Sequence, residues 1–192
     1  MHEAIVKIQA WSRTEKLFLK SFAAALFAFF TVLAAEVRIP LPYTPIPMTL
    51  QTFIAPLAGG FLGAAFGAGS MLLYMGLGIA GLNVFAAASG GMDFFLAPSA
   101  GYVFGFVLAA SILGYVQDRS TNNVHLLAAL VFTHIVIFVC GVAGLMWNLN
   151  LSIQEAFAKG VVPFLIGDVF KISASYLVLA SYNRLRRQAQ PG

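Results

Sequence analysis

The stretch VHLLAALVFTHIVIFVCGVAGLMW, Val124 to Trp147, contains no aspartate, glutamate, lysine or arginine. About 20 predominantly apolar residues are enough for a helix to cross the hydrocarbon core of a bilayer. This stretch therefore reads as a membrane span, and the rest of the chain agrees with it. The 192 residues are 60% hydrophobic and only 9% charged, with mean hydropathy +0.87, outside the usage of soluble globular domains. Eighteen Phe and eighteen Gly suit helices that face lipid with large side chains and meet one another at small ones.

Working outward, six segments approach spanning length, near residues 18–36, 48–64, 66–84, 101–117, 124–147 and 161–182. The expectation is an all-α integral membrane protein with six transmembrane helices in one membrane domain covering 1–192. Within it, 1–17 is a cytoplasmic or interfacial N-terminal segment, 18–182 the six-helix core and 183–192 a cytoplasmic basic tail. Ile5, Ile8 and Trp11 supply the apolar stripe of a short interfacial helix. The division between spans two and three falls in AGGFLGAAFGAGS, Ala58 to Ser70, where glycines permit a tight turn or a close helix contact.

Charge orients the spans. With both termini inside, Lys7, Arg13, Lys16, Lys20, Arg119, Arg184, Arg186 and Arg187 are cytoplasmic, against Arg38 and Lys159 outside, as the positive-inside rule requires. This predicts a multi-pass protein of the cytoplasmic (inner) membrane with both termini cytoplasmic. The net charge of +4 sits at the chain ends rather than on a folded basic face, so nucleic acid is not an expected partner. The single Cys140 excludes a disulfide framework within the chain. None of the five lysines follows a glycine, so no P-loop is present. His125 and His134 are nine residues apart and do not share a helical face well, which disfavours a zinc centre; His134 is expected to be a hydrogen-bonded packing residue. No cofactor or metal is expected.

Two connections fall outside on this topology. RIPLPYTPIPMT, Arg38 to Thr49, carries Pro40, Pro42, Pro45 and Pro47 and cannot continue a helix. NVFAAASGGMDFFLAPSAGY, Asn83 to Tyr102, mixes small residues with aromatics around Gly90 and Gly91, and its Asp93 reads as a solvated loop residue. Irregular backbone at membrane depth persists only where it is buried in protein or lines a cavity, so these extracellular loops are expected to roof a pocket. GDVFKISA, Gly167 to Ala174, places Asp168 and Lys171 at i and i+3 inside the last span. A helix entered near Val161 would carry them to depths of about 10 and about 15 Å. Ionisable residues at such depth are functional-site candidates. A carboxylate that accepts N–H bonds beside an ammonium suits a solute bearing both an amide-like group and an acid.

RIPLPYTPIPMTLQTF, GLNVFAAASGGMDFFLAPSAGY and PFLIGDVFK, in that order, resemble the motifs of the BioY family, the biotin-specific substrate-binding (S) components of energy-coupling factor (ECF) transporters. The resemblance runs from Arg38 to Lys171. It implies capture of biotin from outside by a subunit that is not an enzyme, working with a transmembrane coupling subunit and two ATPase subunits that alone use ATP. It also implies that Asp168 and Lys171 contact the ureido ring with Ser89, and that Gly90 and Gly91 let backbone approach the ligand. Thr49, Gln51 and Tyr43 would line the pocket and Tyr102 close its far side. Ala24 and Ala28 resemble the alanine motif with which S components dock onto the coupling subunit. The chain departs from the family pattern at Asn83, Ala87, Ala88, Ala97 and Ala100, which bears on the backbone of the second loop. Open alternatives are an S component for another vitamin, a solitary or proton-coupled carrier using Asp168, an intramembrane enzyme and a channel.

Overall fold

The computed structural model describes residues 12–86 and 89–189. The interfacial helix expected around Ile5, Ile8 and Trp11 lies outside the described residues. Seven α-helices follow one another among the described residues: α1 (Arg13–Glu36), α2 (Gln51–Leu62), α3 (Ala64–Ile79), α4 (Ala100–Arg119), α5 (Asn123–Leu149), the short α6 (Ile153–Gly160) and α7 (Leu165–Ala189). Helices α1, α4 and α5 and the α6–α7 run are long and apolar enough to cross a membrane, while α2 and α3 are shorter apolar helices.

Local chemistry sets the helix boundaries. Ser12 and Glu15 form a reciprocal capping box at the start of α1, satisfying two N-terminal N–H groups, so the helix begins before the expected position 18. Ser152 and Glu155 repeat the device at α6. Gly63, at φ +84°, separates α2 from α3. A Cβ on Gly67 would collide with the backbone of Gly59, so the two helices fold back on each other as a tight hairpin. Of the segment from 183 expected as a basic tail, residues 183–189 are the last turns of α7.

Helix registers define two ends of the bundle. At one end, Asp118 Oδ2 accepts from Ala64 N–H at 3.0 Å. Beside it, the amides of buried Gln117 and Asn183 exchange hydrogen bonds of 3.3 and 3.0 Å. Arg186 and Arg187 donate to the carbonyls of Gln117 and Thr121. Both described chain ends lie on this side. The opposite end carries the irregular segments. The four-proline segment is closed by two-residue strands, β1 (Arg38–Ile39) and β2 (Met48–Thr49), paired Arg38 to Thr49 and Ile39 to Met48. In the second segment Phe85 stacks on Phe94 with ring centroids 4.0 Å apart and meets Tyr74 edge-on at 5.4 Å. Both phenylalanines are 1% exposed, so this loop has an aromatic core of its own.

Ala24 and Ala28, which resemble a docking motif, are turned inward in the isolated chain, 8% and 1% exposed. Thr31, one turn on from Ala28, reaches Met71 of α3. The small side chains let α1 approach its own bundle, while Phe18, Phe22, Phe29 and Leu33 occupy its outer face.

Candidate functional site: a polar-ended slot between four helices

Helix α7 is reached through a break. Helix α6 ends at Gly160, and a 3₁₀ turn over Val162–Phe164 holds Pro163 before α7 starts at Leu165. Asp168 thus stands in the first turn of α7, where the positive end of the helix dipole favours a carboxylate. Asp168 and Lys171 are three and six residues beyond Leu165, about 5 and about 9 Å along the axis. They are therefore shallower in their helix than entry at Val161 implied, because the proline-bearing turn delays the helix.

The pair is formed. Lys171 Nζ donates to Asp168 Oδ1 at 3.1 Å and to Thr52 Oγ1 at 2.8 Å, and the Thr52 hydroxyl lies 3.4 Å from the same carboxylate oxygen. Asp168 is 4% and Lys171 9% exposed. An ammonium has three N–H donors and a carboxylate several acceptor positions, so each keeps capacity for a ligand after satisfying the other. Thr52 ties α2 to α7 at this point. Sequence reasoning missed it; its place one residue after Gln51 in the proline-rich motif was the available signal.

The three residues stand together in the lining of a slot with about 530 Å³ of empty space, counted to its open mouth. Its walls are contributed by α2, α4, α5, α7 and both irregular segments. Thr49, Gln51 and Tyr102 line it, together with Ile46 and Pro47 from the first segment and Phe85 and Ala86 from the second. Phe106, Phe138 and Phe164 make the remaining wall aromatic; their positions in continuous apolar runs carried no signal that distinguished them from lipid-facing phenylalanines. A flat polar ring head could bond to the triad while an aliphatic chain lay along this wall.

The polar wall residues are held from behind. Gln51 Nε2 donates to the Tyr74 hydroxyl at 2.6 Å, and the Thr49 hydroxyl donates to Gln51 Oε1 at 3.2 Å. Tyr74 in turn donates to the carbonyl of Val84 at 3.3 Å, tying the slot wall to the second irregular segment. Tyr102 donates to the carbonyl of Gly160 at 2.7 Å.

The remaining expected site residues lie outside the slot lining. The Ser89 hydroxyl donates to the carbonyl of Ala86 at 3.0 Å, and Ser89 pairs with Phe85 through backbone hydrogen bonds. A Cβ at Gly90 would collide with the Leu82 carbonyl, which gives that glycine a role in the loop's own packing. Gly91 has φ +84° and donates its N–H to Gly78 O at 2.7 Å. Tyr43 is 84% exposed on the loop surface. His134 behaves as expected of a packing histidine, buried with Nδ1 2.9 Å from the Leu130 carbonyl oxygen.

A bundle of apolar helices with a buried ion pair in the lining of a slot defines a multi-pass membrane protein of the solute-binding kind. The chain belongs to the BioY family, whose pattern it matches over residues 8–188. It is 36% identical over 174 residues to the probable biotin transporter BioY of Lysinibacillus sphaericus, covering 86% of this chain and 87% of that protein. With the biotin transporter BioY of Thermotoga maritima it shares 33% identity over 162 residues, 84% of this chain and 94% of that one. Its fold is similar to a crystal structure of the S component for biotin from an ECF-type ABC transporter. The TM-score is 0.80 and the identity 25%, over 95% of this chain and 97% of that one.

Proposed function

We propose that this protein takes up biotin as the S component of an ECF-type transporter, capturing the vitamin in the slot between α2, α4, α5 and α7. The observation that carries the reading is the Asp168–Lys171–Thr52 triad in the lining of an otherwise largely apolar, aromatic-walled slot. The names of the relatives support biotin as the solute. In this reading the ureido N–H groups donate to Asp168, Lys171 donates to the ureido oxygen, and the valeryl chain lies along Phe106, Phe138 and Phe164. Ser89, Gly90, Gly91 and Tyr43 act from the mouth, through movement of the two irregular segments onto the ligand.

The six-helix membrane core is α1–α5 and α7, the shorter α2 and α3 included, with both termini cytoplasmic and the slot opening outside. The distribution of basic residues supports this orientation. A transmembrane coupling subunit and two ATPases supply the energy; the chain itself is a binding subunit and not an enzyme. With Ala24 and Ala28 turned inward, the coupling subunit meets other residues of the bundle surface.

The test is equilibrium binding of biotin to the purified, detergent-solubilised chain, with Asp168→Asn measured alongside. Saturable binding that the variant loses supports both ligand and site. A folded protein that ignores biotin overturns the ligand and directs the search to other vitamins.

A further inference from the structure

A second cavity lies far from the slot, at the end of the bundle that holds Gly63 and Arg186. It is a groove between α4 and α5 with about 940 Å³ of space open along one side. Its length is apolar, formed by Ile112 and Val116 of α4 and Ala128, Ala129 and Phe132 of α5. Its end is cationic and rich in donors: Arg119, Ser120 and His125.

The donors are held ready. The Arg119 guanidinium stacks on the Tyr115 ring at 3.5 Å, which orients it while leaving its N–H fork uncommitted to the ring. Among the described residues Arg119 makes no salt bridge to a carboxylate. The neighbouring Asp118 is turned toward Gly63 and accepts from Ala64 N–H. Ser120 Oγ accepts from Asn122 N–H at 3.2 Å and lies 2.9 Å from His125 Nδ1, so it engages that ring nitrogen. With Nδ1 engaged by Ser120, Nε2 is the imidazole nitrogen that remains for a ligand in the groove that Arg119 also lines. The N-terminus of α5, capped by Asn122, adds its positive dipole end at the same place.

We propose that this groove binds an anionic glycerophospholipid, its phosphate held by Arg119 and His125 and one acyl chain lying between α4 and α5. The ordering decides the ligand class. Donors for a phosphate sit at the helix ends, where headgroups lie, and the apolar groove runs from them toward the bundle middle, where acyl chains lie. Basic pockets between transmembrane helices at the cytoplasmic side recognise anionic headgroups in this way. The inference rests on the orientation proposed above for the bundle in a bilayer, and not on the slot or its solute.

The experiment is native mass spectrometry of the purified full chain exchanged into mixed micelles holding equal phosphatidylglycerol and phosphatidylcholine. Arg119→Gln and Ala128→Trp are run beside it. The wild type should retain one phosphatidylglycerol with at least fivefold preference. Arg119→Gln should lose the preference, and Ala128→Trp, which fills the groove, should lose retained lipid of either kind. Solute binding at the distant slot serves as the folding control for both. Equal retention of the two lipids by the wild type, or an unchanged preference in Arg119→Gln, overturns the site. Displacement of the retained lipid by glycerol phosphate as effectively as by phosphatidylglycerol overturns the acyl-chain assignment.

Discussion

The hydroxyl of Tyr102 lies 2.7 Å from the carbonyl oxygen of Gly160, joining the first turn of α4 to the last residue of α6. Four residues beyond that carbonyl's neighbour Val161, α7 begins and carries Asp168. The bond therefore anchors the break that sets where the buried carboxylate stands. Gly160 permits it: a Cβ there would lie 2.6 Å from both the Tyr102 hydroxyl and Leu145 Cδ1. Tyr102→Phe should cost about 1 kcal/mol of stability, the net worth of a typical hydrogen bond, and weaken solute binding several-fold through the loosened α6–α7 break. Thermal unfolding and a binding isotherm on the same preparation check both parts. Unchanged values in both would mean that the anchor is dispensable.

Removing one member of the Asp168–Lys171 pair leaves the other charge buried. Such a loss costs about 3–5 kcal/mol, while replacing both partners by apolar residues is often much less costly. Lys171→Met should lower the unfolding temperature more than the double variant Asp168→Leu/Lys171→Met, although all of them lose solute binding. A double variant less stable than the single one would contradict the account.

Thr52 contributes a hydroxyl that accepts from Lys171 at 2.8 Å. Thr52→Val keeps the shape and removes the acceptor. A bond to a charged group is worth about 1.5–3 kcal/mol, so the solute dissociation constant should rise by about tenfold or more. Isothermal titration of wild type and variant measures it, and an unchanged constant removes Thr52 from the site.

Gly59 faces the backbone of Ala110 so closely that a Cβ would overlap its carbonyl group, and on its other flank it meets Gly67. Gly59→Ala must push α2 away from α4. Overpacking of this kind costs about 1–3 kcal/mol, and because Thr52 is on the same helix the displacement should also weaken solute binding. Gly76→Ala, at a position open on all sides, is the control. Comparing their unfolding temperatures and binding constants tests whether the close contact matters.

Gln117 and Asn183 close a two-bond amide pair between α4 and α7. Gln117→Leu should destabilise by about 1–3 kcal/mol, because Asn183 is left buried without its partner. Adding Asn183→Leu should recover part of the loss. The coupling in the double-mutant cycle is the quantity to measure, and additivity would show that the two amides act independently.

Sequence alone determined the class of protein and the residues with most at stake. Apolar length is a local property, read by bilayer thickness against helix rise, so Val124–Trp147 and the long helices around it were legible without contacts. The prolines between Arg38 and Thr49 forbade helix for the same local reason. Asp168 and Lys171 stood out because charge in an apolar run is costly, and their i, i+3 spacing was enough to predict the pair that forms. Tertiary structure decided what local chemistry cannot express. Ala24 and Ala28 have a spacing that suits an internal contact, the commoner case in an alanine-rich span, as well as a docking face, and only the packing of α1 on α3 turns them inward. Thr52 looked like any threonine until α2 and α7 came side by side, and Phe106, Phe138 and Phe164 like any membrane phenylalanine until three elements converged on the slot. The place of Asp168 in its helix depended on the break after Gly160, made by the turn that holds Pro163 and bonded at the Gly160 carbonyl by a tyrosine 58 residues away in sequence. A helix carries its own hydrogen bonds and can be read from one stretch of chain; a slot is the space left between helices and belongs to none of them.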